Sequence, residues 1–299
     1  MSDRLEDLLA RLEPLLPPRR ETDWSAPAFR WRRRQYLGVS LGHLEPVHRI
    51  ARIEAADLQH VEPQKQAILR NTEQFVTGRP ANNVLLTGAR GTGKSSLIRA
   101  CLAQYMDRGL RLIEVDKLDL VDLPDIAALL AGRPERFIVF CDDLSFEEGE
   151  SAYKALKAAL DGSIAAPGDN LLIYATSNRR HLMPEYMREN LDTKYQEDGE
   201  IHPGESVEEK ISLSERFGLW LSFHPFRQDD YLDIVAHWLA RFGVDAQGIA
   251  ASRGEALQFA LQRWSRSGRV ALQFARDYAG RHASPVRKTP ATPPRRTGR

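Results

Sequence analysis

The 299-residue chain predicts an α/β protein: a three-layer α/β/α sandwich on a five-stranded parallel sheet, followed by a small helical lid domain. Three observations carry this reading. Short apolar runs, suited to strands buried on both faces, alternate with helical patterns between residues 84 and 223. One of these runs passes through a glycine-rich loop directly into a helix. After Pro225 the strand-like runs stop and only helical periodicity continues.

In chain order, Leu5, Leu8, Leu9, Leu12, Leu15 and Leu16 fall at helical spacing, and Pro17-Pro18 end that pattern. Residues from about 19 to 50 mix prolines, arginines and aromatics without a period, and read as an arm lying on the main domain. Within the arm, Arg30, Arg32, Arg33 and Arg34 surround Trp31 and precede Tyr36. Such a cluster suits phosphate contact and equally suits a solvated surface.

A helix is expected over 62–75, then strands at 83–87, 111–115, 137–141, 171–175 and 220–223. Helices near 95–102, 122–131 and 149–161, and a long mixed region at 184–216, separate these strands. Three further helices, about 228–242, 252–266 and 269–281, make up the closing domain. Residues 284–299 hold four prolines and basic residues with almost no apolar content, a composition that cannot support a core. The boundaries are therefore 1–50 for an amphipathic helix and arm, 51–226 for the α/β domain, 227–281 for the helical domain and 282–299 for a disordered basic tail.

Composition narrows the function classes. With 42 Lys and Arg against 41 Asp and Glu, the chain is not uniformly basic, although the tail beyond Asp277 carries Arg281, Arg287, Lys288, Arg295, Arg296 and Arg299 without an acid. No apolar run reaches the length of a membrane span, and the first residues lack the order of a signal peptide, so no membrane is expected. Cys101 and Cys141 have no partner at metal-binding spacing, and a reduced, cytoplasmic setting is the simplest fit. His202 is a lone histidine and is assigned no metal.

The loop Gly88-Ala89-Arg90-Gly91-Thr92-Gly93-Lys94-Ser95, followed by Ser96, matches G-x-x-x-x-G-K-[ST] between a strand and a helix. Its glycines let successive backbone N–H groups turn toward phosphates at a helix N-terminus. Lys94 is placed to reach the β- and γ-phosphates, and the Ser95 hydroxyl to ligate Mg²⁺. ATP and Mg²⁺ are the expected cofactors. The third expected strand drives into Asp142-Asp143, where the first carboxylate suits Mg²⁺ and the second suits an attacking water. Glu147-Glu148 is a rival location for that base.

Asn178 ends the fourth expected strand, where it serves either as a turn former or as a hydrogen-bond partner of the water or γ-phosphate. Arg216 and Arg227 are both candidates for an arginine supplied across a subunit boundary, and Arg269 opens the last helix.

In this order the motifs resemble those of the AAA+ ATPases, a branch of the P-loop NTPases. The resemblance implies Walker A at 88–95, Walker B at Asp142-Asp143, sensor 1 at Asn178, an arginine finger at Arg216 and sensor 2 at Arg269. It also implies a sheet of order 5-1-4-3-2 and a homo-oligomer, a ring or a filament, acting on a protein client. The runs at 80–86, 140–146, 174–182 and 214–223 are similar to a bacterial AAA+ family catalogued only as a domain of unknown function, over about residues 25–281. One departure stands out: most AAA+ members carry glutamate where Asp143 stands. Replicative initiators of the DnaA type resemble this Asp-Asp pair and still hydrolyse ATP.

The expectation is an oligomeric ATP hydrolase, slow in turnover, with Lys94, Asp143, Asn178 and Arg216 catalytic and Ser95 and Asp142 holding the metal. Two alternatives stay open: an ATP-gated scaffold with negligible hydrolysis, and a DNA-linked loader or initiator, for which no nucleic-acid-binding motif is present.

Overall fold

The computed structural model describes residues 21–50, 53–146, 150–161, 169–178 and 213–282. The expected helix over 3–16, Glu147 and Glu148, His202, nearly all of the mixed region and the tail from residue 283 lie outside the described residues. The chain divides into two compact units, Met1–His224 and Pro225–Arg299.

The first unit is built on one sheet: β1 (Ala28–Tyr36), β2 (Val39–Val47), β3 (Val84–Gly88), β4 (Leu110–Glu114), β5 (Arg136–Cys141), β6 (Leu171–Ser177) and β7 (Leu219–Phe223). Its order is β2-β1-β4-β5-β6-β3-β7. Every neighbouring pair is parallel except β1 with β2. The helices of this unit are α1 (Glu62–Val76), α2 (Lys94–Tyr105), α3 (Leu123–Leu130) and α4 (Ser151–Asp161).

The sheet corrects the expected number of five strands, while those five keep the order 5-1-4-3-2 when read from the β7 edge. It has seven, because residues 28–47 are no aperiodic arm but a hairpin that joins the sheet beside β4. The five expected strands occupy one continuous part of the order, β4-β5-β6-β3-β7.

The hairpin forms because its residues alternate. Phe29 and Trp31 are buried while Arg30 and Arg32 are exposed, and Leu44 on β2 joins the same core. A two-residue turn, Leu37-Gly38, closes it with φ of 47° and 82°, the positive values that a twisted hairpin demands. Trp31 lies across Gly42, where an added Cβ would come within 2.0 Å of the indole. The Trp31 indole N–H donates to Asp122 at 2.8 Å, and Arg33 grips the same carboxylate with two bonds of 2.6 Å. The Arg33 guanidinium therefore holds the Asp122 carboxyl below the usual carboxylate range.

Strands β3, β4, β5 and β6 bury both faces, which is what their near-continuous apolar sequences require. Leu85, Ile113, Phe137 and Val139 are fully buried in the core that Phe29, Trp31 and Leu44 extend. At the β7 edge, the Gln64 amide of α1 donates to the Ser222 carbonyl at 2.8 Å, covering an otherwise open ladder.

The second unit is a three-helix cluster: α5 (Gln228–Arg241), α6 (Ala246–Gln262) and α7 (Gly268–His282). Tyr231, Leu239, Phe274 and Ala275 form its core. Burial pushes the Tyr231 phenol up to about 12, and its hydroxyl donates to Ala256 O at 3.1 Å. Helix α6 starts earlier than its apolar pattern suggests because Asp245 caps it, accepting from Gly248 N at 2.7 Å.

Candidate functional site

The site is assembled at the C-terminal ends of β3, β5 and β6. Strand β3 delivers Gly88, whose φ of 122° and tight surroundings exclude any side chain: an added Cβ would meet Phe223 O at 2.0 Å. The next amide, Ala89 N, donates to the same Phe223 carbonyl at 3.1 Å, so β7 fixes the entry to the loop. Gly91 and Gly93 also take positive φ, 74° and 100°, which glycine adopts without cost. Thr92 ties the loop together through a 2.8 Å bond to Ala89 O. Helix α2 then begins at Lys94, its free N–H groups opening onto the loop.

Lys94 is buried, and its ammonium donates to Gly88 O at 2.7 Å, to Ala89 O at 2.8 Å and to Asn178 Oδ1 at 3.0 Å. One residue on, Ser95 Oγ donates to Asp142 Oδ1 at 2.6 Å. Asn178 continues the chain of contacts by donating from Nδ2 to Asp143 Oδ1 at 2.5 Å. Lys94, Ser95, Asp142, Asp143 and Asn178, far apart in sequence, thus share one hydrogen-bonded cluster.

Thr176 is the residue that sequence reasoning missed. Its hydroxyl donates to Asp142 Oδ1 at 2.5 Å and accepts from Asp143 N at 2.9 Å, fixing both acids from the neighbouring strand. Sequence shows only a hydroxyl two positions before Asn178 on a largely apolar strand, and that it faces Asp142 follows from the strand order. Asp143 itself sits at φ 56°, a left-handed conformation that aspartate tolerates better than most residues. Leu144 N on Thr176 O and Ser177 Oγ on Leu144 O, both 2.7 Å, hold that turn.

The oxygen donors fit a hard divalent cation. Ser95 Oγ and Asp142 Oδ1 are adjacent, and Mg²⁺ favours few protein ligands with its remaining positions taken by water and phosphate oxygens. Among the described residues no cluster of three or more His, Cys, Asp or Glu offers a competing cage.

The remaining candidates stand elsewhere. Arg216 forms an ion pair with Asp161, the last residue of α4, within the same chain, and its side chain is 25% exposed. Arg227 precedes α5, its backbone N–H bonded to Asp230 at 2.9 Å, which is a capping role. Arg269 is the second residue of α7 in the second unit.

Residues 24–282 match the family described as Protein of unknown function (DUF815). The chain belongs to that family. No curated protein matches this DUF815 member. Among solved structures it is similar to a variant of the Thermotoga maritima RuvB, with a TM-score of 0.50 and 17% identity over 75% of this chain. It spans 63% of that RuvB chain. A chain of the E. coli MS115-1 HORMA:CdnC:Trip13 complex aligns at a TM-score of 0.47 and 12% identity, over 74% of this chain and 89% of that one. A DNA replication initiation factor aligns at 0.45 and 14%, over 77% and 63%. The RuvB likeness shows the fold: an α/β architecture on a mostly parallel sheet, shared with that RuvB chain.

No helix among the described residues is long and apolar enough to cross a membrane. Both cysteines are free and buried, and burial raises both thiols, Cys101 to about 12.

Proposed function

We propose that this DUF815 protein binds Mg-ATP on residues 88–96 and hydrolyses it slowly at the subunit interfaces of a homo-oligomer, switching a macromolecular partner in the cytoplasm. The observation that carries the reading is the cluster itself: a phosphate-loop lysine, a metal-type serine–aspartate pair and a second aspartate joined through Asn178. A structural ion network has no need of a glycine loop that excludes every side chain at Gly88.

In this reading the loop amides and Lys94 bind the β- and γ-phosphates, the ammonium exchanging its carbonyl contacts for phosphate oxygens. Ser95 and Asp142 would hold Mg²⁺, which when bound offsets phosphate charge. Asp143 accepts a proton from the attacking water, whose oxygen bonds to the γ-phosphorus as the bond to the β–γ bridging oxygen breaks. Asn178 orients Asp143. Arg216 would leave Asp161 to act on a neighbouring subunit's nucleotide, while Arg269 and the lid at 227–281 take their roles from resemblance alone.

The ATP-gated scaffold is a second reading, favoured by the short side chain of Asp143 and by the apolar periodicity of residues 3–16. Titration with a fluorescent ATP analogue alongside steady-state phosphate release separates the two. Binding that Lys94→Ala abolishes, together with turnover that Asp143→Asn abolishes, supports hydrolysis. Binding without turnover supports the scaffold, and no binding defeats both.

A further inference from the structure

The hairpin that sequence periodicity concealed presents a second surface. Its register places Arg30 opposite Glu45, Arg32 opposite His43, Arg34 opposite Leu41 and Tyr36 opposite Val39, so all eight side chains share one face. The other face carries Phe29 and Trp31 into the core and turns Arg33 onto Asp122. Strand β4 pairs with β1 only as far as Arg30, so the segment from Arg32 to the turn stands clear of the sheet as a two-stranded ribbon.

Arg30, Arg32 and Arg34 therefore leave β1 on one face at backbone intervals of about 6.6 Å, twice the rise of a strand residue. Arg30 pairs with Glu114 at 3.1 Å and Arg32 with Glu45 at 3.2 Å, every partner 41–50% exposed. Ion pairs that open exchange readily for a better anion. Arg34 is exposed and carries no ion pair among the described residues. Beside Arg30, a cavity of about 320 Å³ is lined by Arg49, Arg99, Glu114 and Phe140 among others. Beyond Arg34 the ribbon ends in exposed apolar surface, with Leu37 74% and Val39 58% exposed next to Tyr36.

We propose that this face binds single-stranded nucleic acid, with Arg30, Arg32 and Arg34 taking successive phosphates and Tyr36 with the apolar tip receiving an unpaired base. Regular cations on an extended strand suit a polyanion of regular repeat, and an aromatic-apolar end suits bases that a duplex would hide. An extended acidic peptide matches the charge repeat but brings no unpaired base to the aromatic end. The proposal names the partner class for the ATPase above and rests on that reading, yet the row shares no residue with the Lys94 cluster.

The test is fluorescence anisotropy of the full chain with a labelled 20-mer of thymidylate across a salt series, with ATP affinity measured in parallel. The expected result is binding with a log–log salt slope of about −2, three phosphates at about −0.7 each. The Arg32→Gln/Arg34→Gln variant should weaken it at least tenfold and lower the slope, and Tyr36→Ala should weaken it while Tyr36→Phe does not, all with unchanged ATP affinity. Absence of oligonucleotide binding by a chain that binds ATP overturns this inference alone. So does equal affinity for the duplex, preference for polyglutamate, or indifference to the arginine variant. Oligonucleotide binding that persists where ATP binding fails upholds the surface and defeats the ATPase.

Discussion

In the proposed reading, Asp143 and Thr176 decide what the loop at 88–95 can do. Aspartate in place of the usual glutamate shortens the reach to water by one methylene, and the left-handed backbone at φ 56° sets where that shorter side chain starts. Thr176 sets the backbone of Asp143 and one oxygen of Asp142 together. Replacing it with valine keeps the volume and removes both bonds, leaving the part-buried Asp143 amide without that partner, a loss on the order of 1 kcal/mol. Thr176→Val should lower turnover about 10- to 100-fold with ATP affinity changed far less, read from kcat and analogue binding separately. The glycine loop and both aspartates, which the structure brings together, were legible in sequence because the chemistry proposed for them constrains residue type at fixed spacing. Thr176 was not, since its role depends on which strand lies beside β5, a property of topology alone.

Among the elements, the β1–β2 hairpin is the feature whose sequence misleads most. Four arginines around one tryptophan look like a charged linker, and only the alternation of Phe29 and Trp31 with exposed arginines betrays a strand. Its attachment hangs on Asp122, which takes the Trp31 indole and the Arg33 fork together. Because the native carboxyl lies below its ordinary value, the bond contributes fully at neutral pH. That contribution fades as pH falls below the unfolded value of about 3.9 and is gone below the native one. Asp122→Asn should cost about 1–3 kcal/mol at pH 7, measured by urea denaturation, with the gap to wild type closing toward pH 3. A gap constant over that range would show that the charge of Asp122 contributes nothing. Helix positions were easier to read than helix ends: α6 begins where Asp245 can cap it, ahead of its apolar stripe.

At the scale of the molecule, the parallel core of strands and the helical second unit were legible because burial on both faces and helical periodicity leave plain marks in sequence. The β1–β2 hairpin was not, since its strands alternate buried and exposed residues and only the start of β1 is paired on both sides. Arg216 raises the question of assembly: it is paired with Asp161 inside its own chain. If it completes a neighbour's site, turnover per subunit should rise with protein concentration, and Arg216→Ala should remove that rise, a loss of about 10³-fold or more at saturation. Turnover independent of concentration and of Arg216 would confine catalysis to one chain.

The central claim is that the cluster joining Lys94, Ser95, Asp142, Asp143 and Asn178 is an ATP-hydrolysing site. Phosphate release from saturating Mg-ATP by the wild-type chain and by Asp143→Asn, at matched ATP occupancy, tests it most directly. Measurable turnover is expected in the wild type and a drop of about 10²-fold or more in the variant. Equal rates in the two proteins would contradict it.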